Sequence, residues 1–217
     1  INAPGTYTVV ATNPVNGCTN TSTVTVQQNI VQPNLTPGNP LTLNCTATSG
    51  TINATSTTSG VTYNWSGAGI VSGGTSNTPT VNTANTYTIT VTNPANSCTN
   101  TGSVVVTSNM VQPNLTAGNS LILNCTATSG TINATSSTSG VTYNWTGTGI
   151  VSGGTSNAPT VNAANTYTVT VTNPANGCTK TATVVVSSNM TTPTVNSEPS
   201  LVLTCSTTSG TVTATSS

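Results

Sequence analysis

The clearest pattern in the chain is an alternation of apolar and polar residues. In residues 86–92 (TYTITVT), Tyr87, Ile89 and Val91 alternate with threonines. This period of two predicts a strand with one face buried and one face wet. Leu41 and Leu43 alternate with Thr42 and Asn44 and lead into Cys45, which predicts a first strand. Ile52 and Ala54 mark a second short strand, and Val61, Tyr63 and Trp65 share one face of a third. Ile70 and Val71 form a short element between glycine-rich turns at 67–69 and 73–74, and residues 80–82 suit an edge strand. The last strand opens at Cys98 and continues through Val104 and Val106. Between it and 86–92 lies the turn NPANS (93–97), whose counterparts end in Asn16-Gly17 and Asn176-Gly177. Asn-Gly predicts a tight hairpin in which both residues tolerate positive φ. No stretch shows a helical period. Six or seven short strands at this spacing predict an all-β fold, a series of Ig-like β-sandwiches.

The pattern recurs. Cys18, Cys98 and Cys178 fall at a spacing of 80, as do Cys45, Cys125 and Cys205, and Trp65 and Trp145. Residues 30–109 align without gaps onto 110–189 with about four-fifths of positions identical, the mark of tandem duplication. The chain is therefore expected to hold the C-terminal part of one repeat (1–29), two whole Ig-like repeats (30–109 and 110–189) and the N-terminal part of a fourth (190–217). Both ends fall in mid-pattern, so it reads as a segment of a longer polypeptide. About 80 residues is small for a sandwich core, and a staple per repeat would help it.

Composition narrows function mainly by exclusion. The 217 residues include one basic side chain, Lys180, one acidic side chain, Glu198, and no histidine. General acid–base catalysis and an activated nucleophile both need a positioned titratable group, so an enzyme is not expected here and no catalytic residue is assigned. Metal sites need carboxylates, imidazoles or paired thiolates, so no metal and no cofactor is assigned. Nucleic-acid binding needs a basic face, which is missing. No apolar run approaches the roughly 18 residues of a membrane span. Lys180 and Glu198 read as solvated singletons. An isopeptide crosslink in every repeat would need a lysine in each.

Six cysteines, two per repeat, in an otherwise thiol-free and secreted-looking chain read as disulfides. Two connectivities are open. Cys45–Cys98 and Cys125–Cys178 would close each repeat on itself, leaving Cys18 and Cys205 to partners outside the sequence. Cys18–Cys45, Cys98–Cys125 and Cys178–Cys205 would join neighbours. The first is favoured, because first and last strands are commonly adjacent in sandwiches and a thin core gains most from a long-range staple.

The segments GTYTVVATNPVNGCTNTSTVTV (5–26) and NTYTVTVTNPANGCTKTATVVV (165–186) resemble the ends of bacterial PKD-like and Ig-like repeats, and LTLNCTATSGTINATS (41–56) resembles their opening. Such repeats occur in very large surface adhesins of Bacteroidota, including gliding-type adhesins exported by the type IX system. The resemblance implies a secreted or cell-surface location and an adhesive structure, with any glycan contact elsewhere in the parent protein. Unlike antibody-type domains, the chain places Cys98 beyond the strand that carries Tyr87.

The remaining features have structural readings. Trp65 and Trp145 could form a sugar-stacking platform, but with Tyr87 and Tyr167 they are expected in the core. Gly67-x-Gly69 lacks the helix and lysine of a phosphate loop and reads as a turn. Asn34, Asn44, Asn53, Asn64, Asn114, Asn124, Asn133 and Asn144 each precede x-Ser/Thr, as many asparagines must in so threonine-rich a chain. A surface without charge lacks the usual defence against strand-edge pairing, so self-association into a fibre is expected. The leading function is a structural stalk or filament segment, and the alternative is a repeat-borne binding module for glycans or ice.

Overall fold

A computed structural model describes residues 1–197 and 200–216, with no helix among them. The chain forms two units, Ile1–Met110 and Val111–Ser217. The first carries β1 (Gly5–Thr12), β2 (Thr19–Val26), β3 (Thr36–Pro37), β4 (Leu41–Asn44), β5 (Gly50–Thr51), β6 (Ala54–Thr55), β7 (Thr62–Ser66), β8 (Ile70–Ser72), β9 (Thr80–Val81), β10 (Asn85–Asn93) and β11 (Cys98–Asn109). The second carries β12 (Thr116–Ala117), β13 (Leu121–Asn124), β14 (Gly130–Thr131), β15 (Ala134–Thr135), β16 (Thr142–Thr146), β17 (Ile150–Ser152), β18 (Thr160–Val161), β19 (Asn165–Thr172), β20 (Thr179–Asn189), β21 (Val195–Ser197) and β22 (Ala214–Ser216).

Residues 30–109 build two layers. One is a four-stranded sheet in the order β4-β11-β10-β7; the other combines β5-β9-β8 with the short pair β3-β6. Backbone bonds from Ile52 N to Pro79 O and from Ala54 N to Asn77 O carry β5 and β6 alongside the segment that leads into β9. The alternation seen in the sequence puts Tyr87, Ile89 and Val91 wholly inside, facing Ile52, Ala54 and Val81 of the other layer, with Leu43, Trp65, Val104 and Val106 completing the core. The second unit repeats this arrangement around Trp145, Tyr167, Val169 and Val171, with the sheet order β13-β20-β19-β16. The chain is thus a tandem of Ig-like β-sandwich domains, as its pattern of alternation predicts.

The first and last strands of the repeat are neighbours, and they run parallel. Leu41 pairs with Val106 and Asn44 with Asn109. In the second unit Leu121 pairs with Val186 and Asn124 with Asn189. By contrast, β10 and β11 form an antiparallel hairpin from Asn93↔Cys98 to Asn85↔Val106. The turn of that hairpin differs from the tight form expected from Asn-Gly. Ser97 N donates to Asn93 O, and only Ser97 takes positive φ, at 57°. Asn96 instead spends its side chain on the turn, its Oδ1 accepting from Cys98 N.

Candidate functional site

The repeat has two ends, and its cysteines mark them. At one end the chain enters alongside the start of β11. Asn96 Nδ2 donates to Asn29 Oδ1 and to Val31 O, and Asn100 Nδ2 donates to Pro33 O. Gly102 then leaves room for the incoming segment, since a Cβ there would meet Pro37 Cγ at 2.6 Å and Leu35 Cδ2 at 3.2 Å. Residues 29–45 therefore run beside β11 from its beginning to its end. Cys98, the first residue of β11, sits at this entry end.

At the other end β4 stops at Asn44, opposite Asn109, and Cys45 follows. An Asx turn wraps the cysteine: Asn44 Oδ1 accepts from Thr46 N at 3.0 Å, Thr46 Oγ1 at 2.8 Å and Ala47 N at 2.7 Å. Cys45 thus lies beside the point where the chain leaves the repeat. The second unit has the same arrangement. Cys178 N donates to Asn176 Oδ1 at 3.0 Å while Asn176 Nδ2 donates to Val111 O at 2.9 Å, which fixes Cys178 at the entry end. Cys125 lies at the exit end, where Asn124, Cys125, Thr126, Asn189 and Thr191 line an open depression of about 230 Å³.

This arrangement overturns the favoured pairing. Cys45 and Cys98 lie at opposite ends of a 12-residue strand, about 40 Å apart at a strand rise of roughly 3.3 Å per residue, whereas a disulfide needs Cα atoms within about 7 Å. The same holds for Cys125 and Cys178 across β20. Cys98 and Cys125 carry free thiols, as do Cys18 and Cys205. That also removes the neighbour-joining alternative Cys18–Cys45, Cys98–Cys125 and Cys178–Cys205. Cys45 and Cys178 are the disulfide-bonded cysteines.

The aromatic side chains are structural. Trp65 is 5% exposed, leaving no ring face for a sugar, and its Nε1 donates to Ser76 O at 2.9 Å. Trp145 repeats this with Ser156 O at 3.0 Å. The Tyr87 hydroxyl lies 2.8 Å from both Thr83 O and Ala68 O and shares its one proton between these carbonyls, and burial raises the pKa of its phenol. Tyr167 makes the same pair of bonds to Thr148 O and Ala163 O. A tyrosine at the start of such a strand that bonds back to the backbone a few residues upstream is a hallmark of immunoglobulin-like sandwiches. The sequons at Asn34 and Asn44 also shape loops, and Asn34 Oδ1 accepts from Ser56 Oγ, Thr57 N and Thr58 N. Lys180 is exposed, and Glu198 lies outside the described residues. Among the described residues, no three His, Cys, Asp or Glu side chains come together as a metal site.

The outer face of the four-stranded sheet is a lattice of hydroxyls and amides. Across β7, β10 and β11 the rows read Ser66–Thr88–Ser103, Asn64–Thr90–Thr101 and Thr62–Thr92–Thr99.

No known protein-family profile matches the chain, and no curated protein is similar to it in sequence. Solved structures similar to it are tandems of immunoglobulin domains. They include an I-band fragment of titin (16% identity, 74% of this chain and 65% of that one, TM-score 0.35) and Drosophila OTK extracellular domains 3–5 (11%, 86% and 72%, 0.36). A third is the N-terminal eight Ig domains of Down Syndrome Cell Adhesion Molecule (15%, 86% and 28%, 0.41). The chain spans just under two thirds of the titin fragment's length. The fold assignment rests on the sheets and the tyrosine bonds above.

Proposed function

We propose that the chain is a stalk or filament segment of a large secreted adhesin of the Bacteroidota surface type, supplying length and stiffness. The observation that carries this reading is the parallel pairing of β4 with β11. It places chain entry and chain exit at opposite ends of the repeat, about 40 Å apart along its long strands, which suits a segment that supplies length. Disulfide-bonded cysteines belong to an oxidising compartment, in keeping with a secreted or surface protein. A nearly uncharged surface with exposed strand edges suits side-by-side association into a fibre.

The rows of threonine on the outer sheet face favour a second reading. Strands spaced about 4.8 Å apart, with outward side chains about 6.7 Å apart along each strand, form a regular hydroxyl lattice that could meet ice or a glycan. One set of measurements separates the two. The purified chain is expected to gain mass with concentration in sedimentation velocity, and to bind nothing on a glycan array or in an ice-recrystallisation assay. A concentration-independent monomer would sink the self-association part. Binding by the chain in either assay would replace the stalk with the binding module.

A further inference from the structure

We propose that copies of this chain join head to tail, residues 190–217 of one copy covering the bare sheet face that residues 1–29 present on another. Each segment is part of a repeat whose complete form the chain displays twice. Residues 1–29 correspond to 81–109, and β1 and β2 make the hairpin of β10 and β11 in the same register, Gly5↔Val26 standing for Asn85↔Val106. Residues 190–217 correspond to 30–57, and β21 pairs with β22 as β3 pairs with β6, Ser197↔Ala214 standing for Pro37↔Ala54.

Both segments hold this form before they meet. The Tyr7 hydroxyl donates to Ala3 O at 2.8 Å, the contact that Tyr87 makes with Thr83 O. Thr204 N donates to Thr207 O at 3.0 Å, as Asn44 N does to Ala47 O. What each lacks is its cover. Val9 is 64% exposed and Val24 59%, where their counterparts Ile89 and Val104 are buried. Leu203 is 56% exposed and Val212 72%, where Leu43 and Ile52 are buried. In the complete repeat these two sets of counterparts pack into one core. Each bare face is therefore the partner that the repeat gives the other, and joining them removes apolar surface from water on both sides.

The strand ends agree. β11 runs on to Asn109, with Val106–Asn109 paired to β4. β2 stops at Val26, and residues 201–204, the counterpart of β4, belong to no strand. A parallel ladder from Val26 with Leu201 to Asn29 with Thr204 would extend β2 and order the incoming segment, an addition of one strand to an open sheet edge. Side-chain size agrees as well. A Cβ on Gly102 would meet Pro37 Cγ at 2.6 Å, so glycine faces proline there. The second repeat has Ala182 and Ala117 at these positions, and the two part-repeats bring Ser22 and Ser197. As one side chain grows, the other shrinks. The two surfaces differ, so the contact is heterologous and leaves one free surface of each kind for further copies. Counterparts of residues 58–80, Trp65 among them, lie in neither segment. The joined core is thus smaller than a complete one, and assembly should be reversible and rise with concentration.

This specifies the self-association within the stalk reading above, and the test tells the two apart. In sedimentation velocity the full chain should at least double its mean mass across a concentration series. Val24→Asp places a charge on the hairpin face and Leu203→Asp places one on the tail. Each variant alone should stay monomeric, with the thermal unfolding of the complete repeats unchanged. An equimolar mixture of the two should give a heterodimer, because the first keeps a sound tail and the second a sound hairpin. Thr25→Asp, on the opposite face of β2, should assemble like the parent. Assembly that persists in both single variants would overturn the proposal and leave side-by-side association, and with it the stalk reading, standing. A mixture no heavier than its parts would overturn it too, as would a parent chain that stays monomeric at every concentration.

Discussion

At the scale of single residues, the two near-identical repeats are their own controls. The residue that closes the hairpin turn is Gly17, Ser97 or Gly177, and all three take positive φ, at 70°, 57° and 67°. Only the serine has a Cβ to crowd its carbonyl there, at a cost of roughly 1–2 kcal/mol. Ser97→Gly should therefore raise the stability of the first unit by about 1 kcal/mol, and Gly177→Ser should lower that of the second by about as much. Chemical unfolding of each variant checks the pair. Opposite signs are expected, and a loss in both would mean that the Ser97 hydroxyl contributes more than its backbone costs. The Asn-Gly pair announced the turn correctly but misled about its form. Only the glycine uses the left-handed region, because the asparagine side chain is committed to Cys98 N and the entering chain.

At the scale of elements, the tyrosine and the glycine-rich turn are one device. Gly67 and Gly69 read in the sequence only as turn residues. A Cβ on Gly69 would stand 2.9 Å from the Tyr87 hydroxyl and 2.5 Å from Thr83, and φ there is 94°, so the turn is shaped to accept the ring. Tyr87→Phe leaves the Thr83 and Ala68 carbonyls without their donor and should cost about 1–3 kcal/mol. Tyr167→Phe should cost the second unit the same, and thermal unfolding of each variant reads it. Strands, core faces and repeat period were all legible, because alternation records burial directly. Strand direction was not. The adjacency of first and last strands was read correctly from general rules, but a parallel pair sends a cysteine after β4 and a cysteine at the start of β11 to opposite ends. The alternation of apolar and polar residues does not carry that sign. The clue was the length of the entering segment, residues 29–45. It is long enough to run the whole side of β11, and a tight antiparallel return would not need so many residues.

At the scale of the whole molecule, the absence of charge makes a claim about pH that few proteins permit. With no histidine, one lysine and one glutamate, the folded and unfolded chains bind nearly equal numbers of protons between pH 5 and 7.5. The slope of stability against pH is set by that difference and should be close to zero. With one lysine and one glutamate in the chain, salt has almost no side-chain charge to screen, so the midpoint should hold from about 0.05 to 0.5 M sodium chloride as well. The first departure should come in alkali. Burial raises the Tyr87 pKa above the ordinary phenol value near 10. Below that value both states hold the proton and the contribution is fully present. Above it the unfolded chain ionises first, so stability falls as pH climbs toward the folded pKa. Thermal unfolding should show a flat midpoint across the neutral range and a decline beyond about pH 10, shallower in Tyr87→Phe relative to its own neutral value. A bell-shaped profile within the neutral range would require a titrating group that this sequence lacks. A flat profile would suit the stalk proposed above, whose length and stiffness would then stay the same as the surrounding medium changes.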